Sequence, residues 1–145
     1  MKFKDLLAAF GAFLCIFLMA TVSDLDVNNI WIIPPFGASL VLAMALPNNP
    51  LARPKNIILG HVIAASAGVI TYQILGNNPL SIGIALGLAI YLMLITDTTH
   101  PPAGANPVLT VLGGESFDFI LMPVALGAIF IVAFSITYNR LIAKS

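Results

Sequence analysis

Three ionisable side chains, Asp97, His100 and His61, lie within or beside long apolar stretches of the sequence. A charge at membrane depth is costly, and residues kept there despite the cost mark ion pathways and proton relays. Asp97 and His100 belong to the turn Thr96-Asp97-Thr98-Thr99-His100-Pro101-Pro102, whose threonines can satisfy backbone groups freed by the prolines. His100 can donate a hydrogen bond to an anion, and does so more strongly when protonated. Asp97 has the wrong charge for an anion ligand; it is read as orienting His100, capping the helix that follows, or carrying a proton. His61 follows closely on Arg53 and Lys55 and is expected at the cytoplasmic boundary, in a packing role. The sequence pairs no nucleophile with a base, and one His–Asp pair supplies too few ligands for a metal. Neither an enzyme nor any metal or other cofactor is expected.

The element that must position these groups occurs twice. Pro34-Pro35-Phe36-Gly37-Ala38-Ser39-Leu40-Val41-Leu42 and Pro101-Pro102-Ala103-Gly104-Ala105-Asn106-Pro107-Val108-Leu109 share the pattern P-P-x-G-A-x-x-V-L at an offset of 67, and at the same offset Gly60 falls on Gly127. A Pro-Pro pair starts a helix or breaks one, because proline has no N–H and clashes with the preceding turn. About eleven residues follow each pair before the next loop, which as helix spans roughly 16 Å, half of the hydrocarbon core. Two such half-helices, their N-termini converging near mid-membrane, would offer unpaired N–H groups and a partial positive charge to an anion. Gly37 and Gly104 would let a ligand or a neighbouring helix approach closely, and Ser39 and Asn106 would add hydroxyl and amide contacts. The expected substrate-binding set is Gly37, Ala38, Ser39, His100, Gly104, Ala105 and Asn106, with Asp97 and His100 coupling or orienting a proton.

Composition sets the medium in which this happens. Hydrophobic residues make up 59% of the 145, charged residues 8%, and mean hydropathy is +1.02; a soluble domain carries about 25% charge. The chain is therefore an integral, all-α membrane protein whose main partner is the lipid bilayer. Six Lys/Arg balance six Asp/Glu, which leaves no basic surface for nucleic acid. The single cysteine, Cys15, permits no internal disulfide.

Six membrane-depth segments are read at residues 6–22, 30–46, 57–75, 80–95, 101–112 and 117–138. With six crossings, Lys2, Lys4, Arg53, Lys55, Arg140 and Lys144 all fall on one side, and Asp24, Asp26, Glu115 and Asp118 on the other. By the positive-inside rule both termini are cytoplasmic. Residues 1–22 also have the basic start and apolar stretch of a signal peptide, but the stretch is long for that role and the repeat needs it as a helix. Segments one to three (about residues 1–75) and four to six (about 80–145) then form a single transmembrane domain of two three-helix repeats. Three being odd, they are inverted, as in many transporters. Trp31 is read as an interface anchor, and Phe3, Phe10, Phe13 and Phe17 as a lipid-facing or packing stripe.

The string Asp97-Thr98-Thr99-His100-Pro101-Pro102-Ala103-Gly104-Ala105, preceded by Pro35-Phe36-Gly37-Ala38-Ser39 and by Pro50-Leu51-Ala52-Arg53-Pro54-Lys55-Asn56 with Gly60-His61, resembles the HPP family of integral membrane proteins. The family is commonly described with fewer than six spans. Its plant-plastid and cyanobacterial members are associated with nitrite transport, so the resemblance implies a small inorganic monovalent anion as substrate. The leading expectation is an anion permease or channel, most simply for nitrite. Inside-negative potential opposes anion uptake by about 2.3 kcal/mol per charge per 100 mV, which calls for trapping or a coupled proton. The alternative is a non-transporting membrane subunit, scaffold or sensor. Six short helices leave little protein to seal a path, so a homo-oligomer is expected, in a bacterial inner (plasma) membrane.

Overall fold

The computed structural model describes residues 3–26 and 31–142. Lys2 and Lys144, and the start of the second segment at Ile30, lie outside them. Among the described residues the structure is helical without strands: α1 (Phe3–Leu25), α2 (Pro34–Leu40), α3 (Pro54–Leu75), α4 (Pro79–Ile95), α5 (Asn106–Gly113) and α6 (Leu126–Ile142). α2 runs on into a wider π turn, Val41–Ala45, and Pro101–Ala105 forms a 3-10 turn leading into α5.

The helix ends follow from local chemistry. Proline occupies the first helical position of α2, α3 and α4, where its missing N–H costs nothing. The Asn78 side chain accepts from Ser81 N–H at 3.0 Å and caps α4. α3 ends at Gly76, whose φ of 71° suits glycine. α4 ends in a left-handed turn at Asp97, φ 51°, with Thr98 N–H on Met93 O and Asp97 N–H on Leu94 O. Glycine usually fills that position; aspartate is among the few residues that tolerate it.

Three helical stretches have the length and apolarity to cross a membrane: Phe3–Leu25, Pro54–Leu75 and Ile120–Ile142. The last is broken at Pro123, where Met122 leaves the helical region (φ −130°, ψ 119°). Pro34–Ala45 and Pro79–Ile95 are shorter apolar helices. At 1.5 Å per residue they reach about 18 and 25 Å, against a hydrocarbon core of about 30 Å. The six segments are thus six helices, of which three are clearly of membrane length.

α3 lies at the centre, and small residues let its neighbours close in. Gly60, Ala64 and Gly68 recur every fourth residue and are buried, as are Ser81, Ala85, Ala89 and Met93 on α4. A Cβ at Gly68 would strike the Thr110 hydroxyl and the Pro107 backbone of α5. A second apolar cluster joins Cys15 and Met19 of α1, Phe36 and Leu40 of α2, Ile57 and Ala65 of α3, and Ala128 and Ile131 of α6. α1 closes on α6 at Gly11, which lies under the Tyr138 ring, while the Tyr138 hydroxyl donates to Leu7 O at 2.8 Å. The opposite side of α1 is outward: Phe3, Phe10, Phe13 and Phe17 are all exposed, the last three stacked in series.

Candidate functional site

Four polar side chains, Ser39, His61, His100 and Asn106, meet inside this apolar body with none of their surface exposed. Ser39 stands in the first turns of α2, His61 two turns into α3, His100 at the foot of the 3-10 turn, and Asn106 at the start of α5. Ser39 Oγ lies 2.7 Å from His61 Nε2 and 2.9 Å from His100 Nε2. Asn106 Nδ2 is 2.9 Å from His61 Nδ1 and 3.0 Å from His61 O. His100 Nδ1 is 2.8 Å from Leu51 O, in the short turn before α3. The two imidazoles cross edge to face at 5.2 Å, and Phe36 closes the far side of His61 at the same distance.

The network assigns the protons. Leu51 O can only accept, so His100 Nδ1 carries hydrogen, and a neutral His100 presents a bare Nε2. Ser39 must then donate to it. The Asn106 amide is oriented by His61 O, which also only accepts, so its second hydrogen points at His61 Nδ1. That nitrogen is bare, and His61 Nε2–H donates to Ser39 Oγ. The result is one directed chain, Asn106 to His61 to Ser39 to His100 to Leu51 O, through two neutral histidines of opposite tautomer. Asn106 Oδ1 is left buried without a partner.

The surroundings fix His100 in place. Gly60 of α3 lies against it so closely that a Cβ there would sit 2.8 Å from His100 Cβ and 3.0 Å from Thr98 O. Asn56 Nδ2 donates to Thr99 O at 2.9 Å, tying the turn to the first turn of α3. The Thr96 and Thr98 hydroxyls bond each other at 2.7 Å, and Thr96 also bonds Leu92 O.

Several expectations need correcting. Asp97 does not reach His100. Its left-handed turn directs the carboxylate outward, where it is 89% exposed and takes Lys55 Nζ at 2.7 Å. That ammonium, by hydrogen bond first and charge second, holds the Asp97 carboxyl below its ordinary pKa. Asp97 therefore ends α4 rather than capping the next helix, and Leu51 O orients His100 instead. His61 is in the cluster rather than at a boundary, since α3 starts at Pro54 and seven residues of helix carry it about 10 Å along the axis. Ser39 stands between two imidazoles, so a hydroxyl–base pair does exist.

The helix N-termini are also poorer in donors than expected. Pro34, Pro35, Pro101 and Pro102 have no N–H, while Phe36 N–H bonds Ile33 O and Ala103 N–H bonds His100 O. The first three positions of each motif helix thus present no free donor. Gly37 and Gly104 have nothing within 4 Å of where a Cβ would be, so no neighbouring helix approaches closely at either; such approaches occur at Gly60, Gly68 and Gly127. Gly37, Ala38 and Ala105 are exposed and Gly104 is half-buried, whereas Ser39, His100 and Asn106 turn inward. Ala38 and Ala105 face one open apolar groove together with Pro34, Pro35, Pro101 and Pro102. Sequence reasoning named His61 but set it at the boundary, where counting turns from Pro54 places it in the cluster, and it missed Asn56 and the Leu51 carbonyl.

A transmembrane protein of Dictyostelium discoideum is 32% identical to this chain over 146 residues, covering 95% of the chain and 51% of the relative. A second transmembrane protein of the same organism is 30% identical over 146 residues, covering 95% and 47%. The chain thus spans about half the length of these curated relatives. No solved structure matches it. The family model for the HPP transmembrane region matches residues 2–145, a range that includes His100-Pro101-Pro102, the turn that delivers the buried imidazole. The chain belongs to the HPP transmembrane family.

Proposed function

We propose that this chain is a membrane permease for a small monovalent anion, nitrite being the substrate the family resemblance implies. The observation that carries the reading is the fully buried Ser39–His61–His100–Asn106 chain in a body of membrane dimensions. Ionisable groups are expensive there, and a buried histidine joined through a hydroxyl to a second one offers a proton-binding nitrogen for coupling. Coupling matters because potential alone opposes anion uptake. Of the residues named from sequence, Ser39, His100 and Asn106 carry the proposal, now with His61.

The two halves of the chain are read as inverted three-helix repeats meeting at this cluster. Support comes from a reciprocal contact: Gly60 packs on the His100 turn of the second motif, and Gly127, its counterpart 67 residues on, packs under Phe36 of the first. The described cations Lys4, Arg53, Lys55 and Arg140 support cytoplasmic termini, and a homo-oligomer in a plasma membrane completes the proposal.

Catalysis is not part of it. His61 holds the wrong tautomer to take the Ser39 proton, and the bare His100 Nε2 that can accept it is assigned in this proposal to proton coupling rather than to activating a nucleophile.

A second reading is a polar knot that fixes packing in a non-transporting subunit. It is favoured by the mutual use of every side-chain donor in the cluster. Flux separates the two. Purified protein in liposomes holding a pH dye is challenged with nitrite, formate, nitrate and chloride, and leakage of the permeant acids is subtracted with empty liposomes. Saturable, selective flux supports the permease; folded protein without flux for any of the four overturns it in favour of the knot.

A further inference from the structure

We infer that the cluster stores a single proton, on His100 Nε2, and that anion and proton therefore move together one to one. The inference rests on the transport reading above and specifies its coupling.

A proton arriving at His100 Nε2 needs the lone pair that the Ser39 O–H now fills. Ser39 has another acceptor within reach, Pro35 O at 3.3 Å in its own helix. Turning the hydroxyl to Pro35 frees Nε2 and leaves both Oγ lone pairs for the two Nε2–H groups, at the distances already present. Only one O–H rotor moves. His100 Nδ1–H stays on Leu51 O, so the charged ring keeps an acceptor at each nitrogen.

His61 has no such route. A proton on its Nδ1 would face the Asn106 N–H, and flipping that amide would set Oδ1 against His61 O. A second proton would also place two positive rings 5.2 Å apart. The site holds one proton, and it holds it on His100.

The charge is not neutralised by the protein. Among the described residues the titratable or charged groups around His100 are His61, Lys55 and Arg53 from the α3 side and Asp97 from its own turn. α2 and α5 carry none; α4 carries Tyr91, which is exposed, and α6 carries Tyr138, whose hydroxyl is on Leu7 O of α1, and Arg140 in its last turn. Asp97, the one carboxylate in this set, is committed to Lys55 at the surface. Neutrality falls to the ligand, one negative charge for one proton, which selects the conjugate base of a weak monobasic acid. Nothing is oxidised or reduced: the Nε2 lone pair takes the proton as the anion binds and returns it as the anion leaves.

The test is 15N NMR of histidine-labelled protein in liposomes, taken from alkaline to mildly acidic pH, with His61→Gln and His100→Gln to assign the rings. The expected spectrum has His61 as the Nε2–H tautomer and His100 as Nδ1–H. Acid converts His100 alone to the doubly protonated form. Equal tautomers, His61 protonating first, both protonating, or neither protonating in folded protein would each overturn the inference. Asn106→Asp adds a second check, since an acceptor at that position must draw the His61 hydrogen to Nδ1; an unchanged His61 tautomer counts against the assigned chain. In flux measurements, one proton per anion and a rate indifferent to clamped potential are expected. A potential-dependent rate would overturn the coupling. Absent flux with the expected tautomers would remove the transport reading and its coupling while the proton site stood.

Discussion

Ser39→Ala should destabilise the fold out of proportion to one oxygen atom, and the structure contains its own control. Ser39 Oγ is buried and bridges two histidines on different segments of the chain. Side-chain hydrogen bonds between membrane helices are worth about 0.6 kcal/mol on average and about 1.7 at most. Two of them lost together give about 1–3 kcal/mol, with an imidazole N–H and a bare imidazole nitrogen left buried and unpaired. Ser135 is comparably buried, but its hydroxyl donates only to Ile131 O, one turn back in its own helix, at 2.6 Å. Such back-bonding adds little to a helix, and Ser135→Ala should stay within about 0.5 kcal/mol of wild type. Reversible unfolding in mixed detergent micelles, monitored by far-UV circular dichroism, measures both variants on the same scale. If Ser39→Ala is no more costly than Ser135→Ala, the directed hydrogen-bond chain is not holding the helices together and the site built on it is wrong.

Two further outcomes follow from the same contacts. Gly60→Ala, whose methyl group would press on His100 Cβ and the Thr98 carbonyl, should cost about 1–3 kcal/mol, whereas Gly37→Ala, facing open space, should be neutral or stabilising by up to about 1 kcal/mol in the same unfolding assay. The Asp97 carboxyl is held below its ordinary pKa by Lys55, so its contribution is present above the unfolded carboxylate value and lost as pH falls through the folded one. Asp97→Asn should therefore narrow the difference in Tm between neutral and strongly acidic pH while leaving anion flux intact, and lost flux would return Asp97 to the relay.

Much of the architecture can be read from run lengths alone. Unbroken apolar stretches of membrane length become α1 and α3, and the Pro-Pro pairs cut α2 and α5 short for the reason proline always does. The break at Pro123 was equally legible in principle, because a proline inside an apolar run is a visible interruption. The site was only half legible. Ser39, His100 and Asn106 stand at repeated or ionisable positions and are brought together. His61 was placed by its distance from Arg53 and Lys55, when the distance that matters is from the helix start at Pro54. Closeness in sequence makes Asp97 look like a partner of His100, but Asp97 is itself left-handed, and its turn sends the carboxylate outward to Lys55 while His100 turns inward. Leu51 contributes a backbone carbonyl from 49 residues away, and no side-chain pattern announces that. The repeated glycines Gly37 and Gly104 drew attention through their motif, while the close approaches fall on Gly60, Gly68 and Gly127, where a neighbouring element happens to arrive.

The central claim is that anions cross by way of the buried histidine chain, and the most direct test is the initial rate of nitrite uptake into proteoliposomes by wild type and His100→Gln. Protein density is matched, potential is clamped, folding is checked by circular dichroism, and the rate of empty liposomes is subtracted. Glutamine keeps a polar group in reach of Ser39 but cannot hold the proton. The account predicts saturable uptake by wild type and a loss of about a hundredfold or more in the variant, the lower end of what a positioned acid–base group contributes. Equal saturable uptake by the two proteins would contradict it.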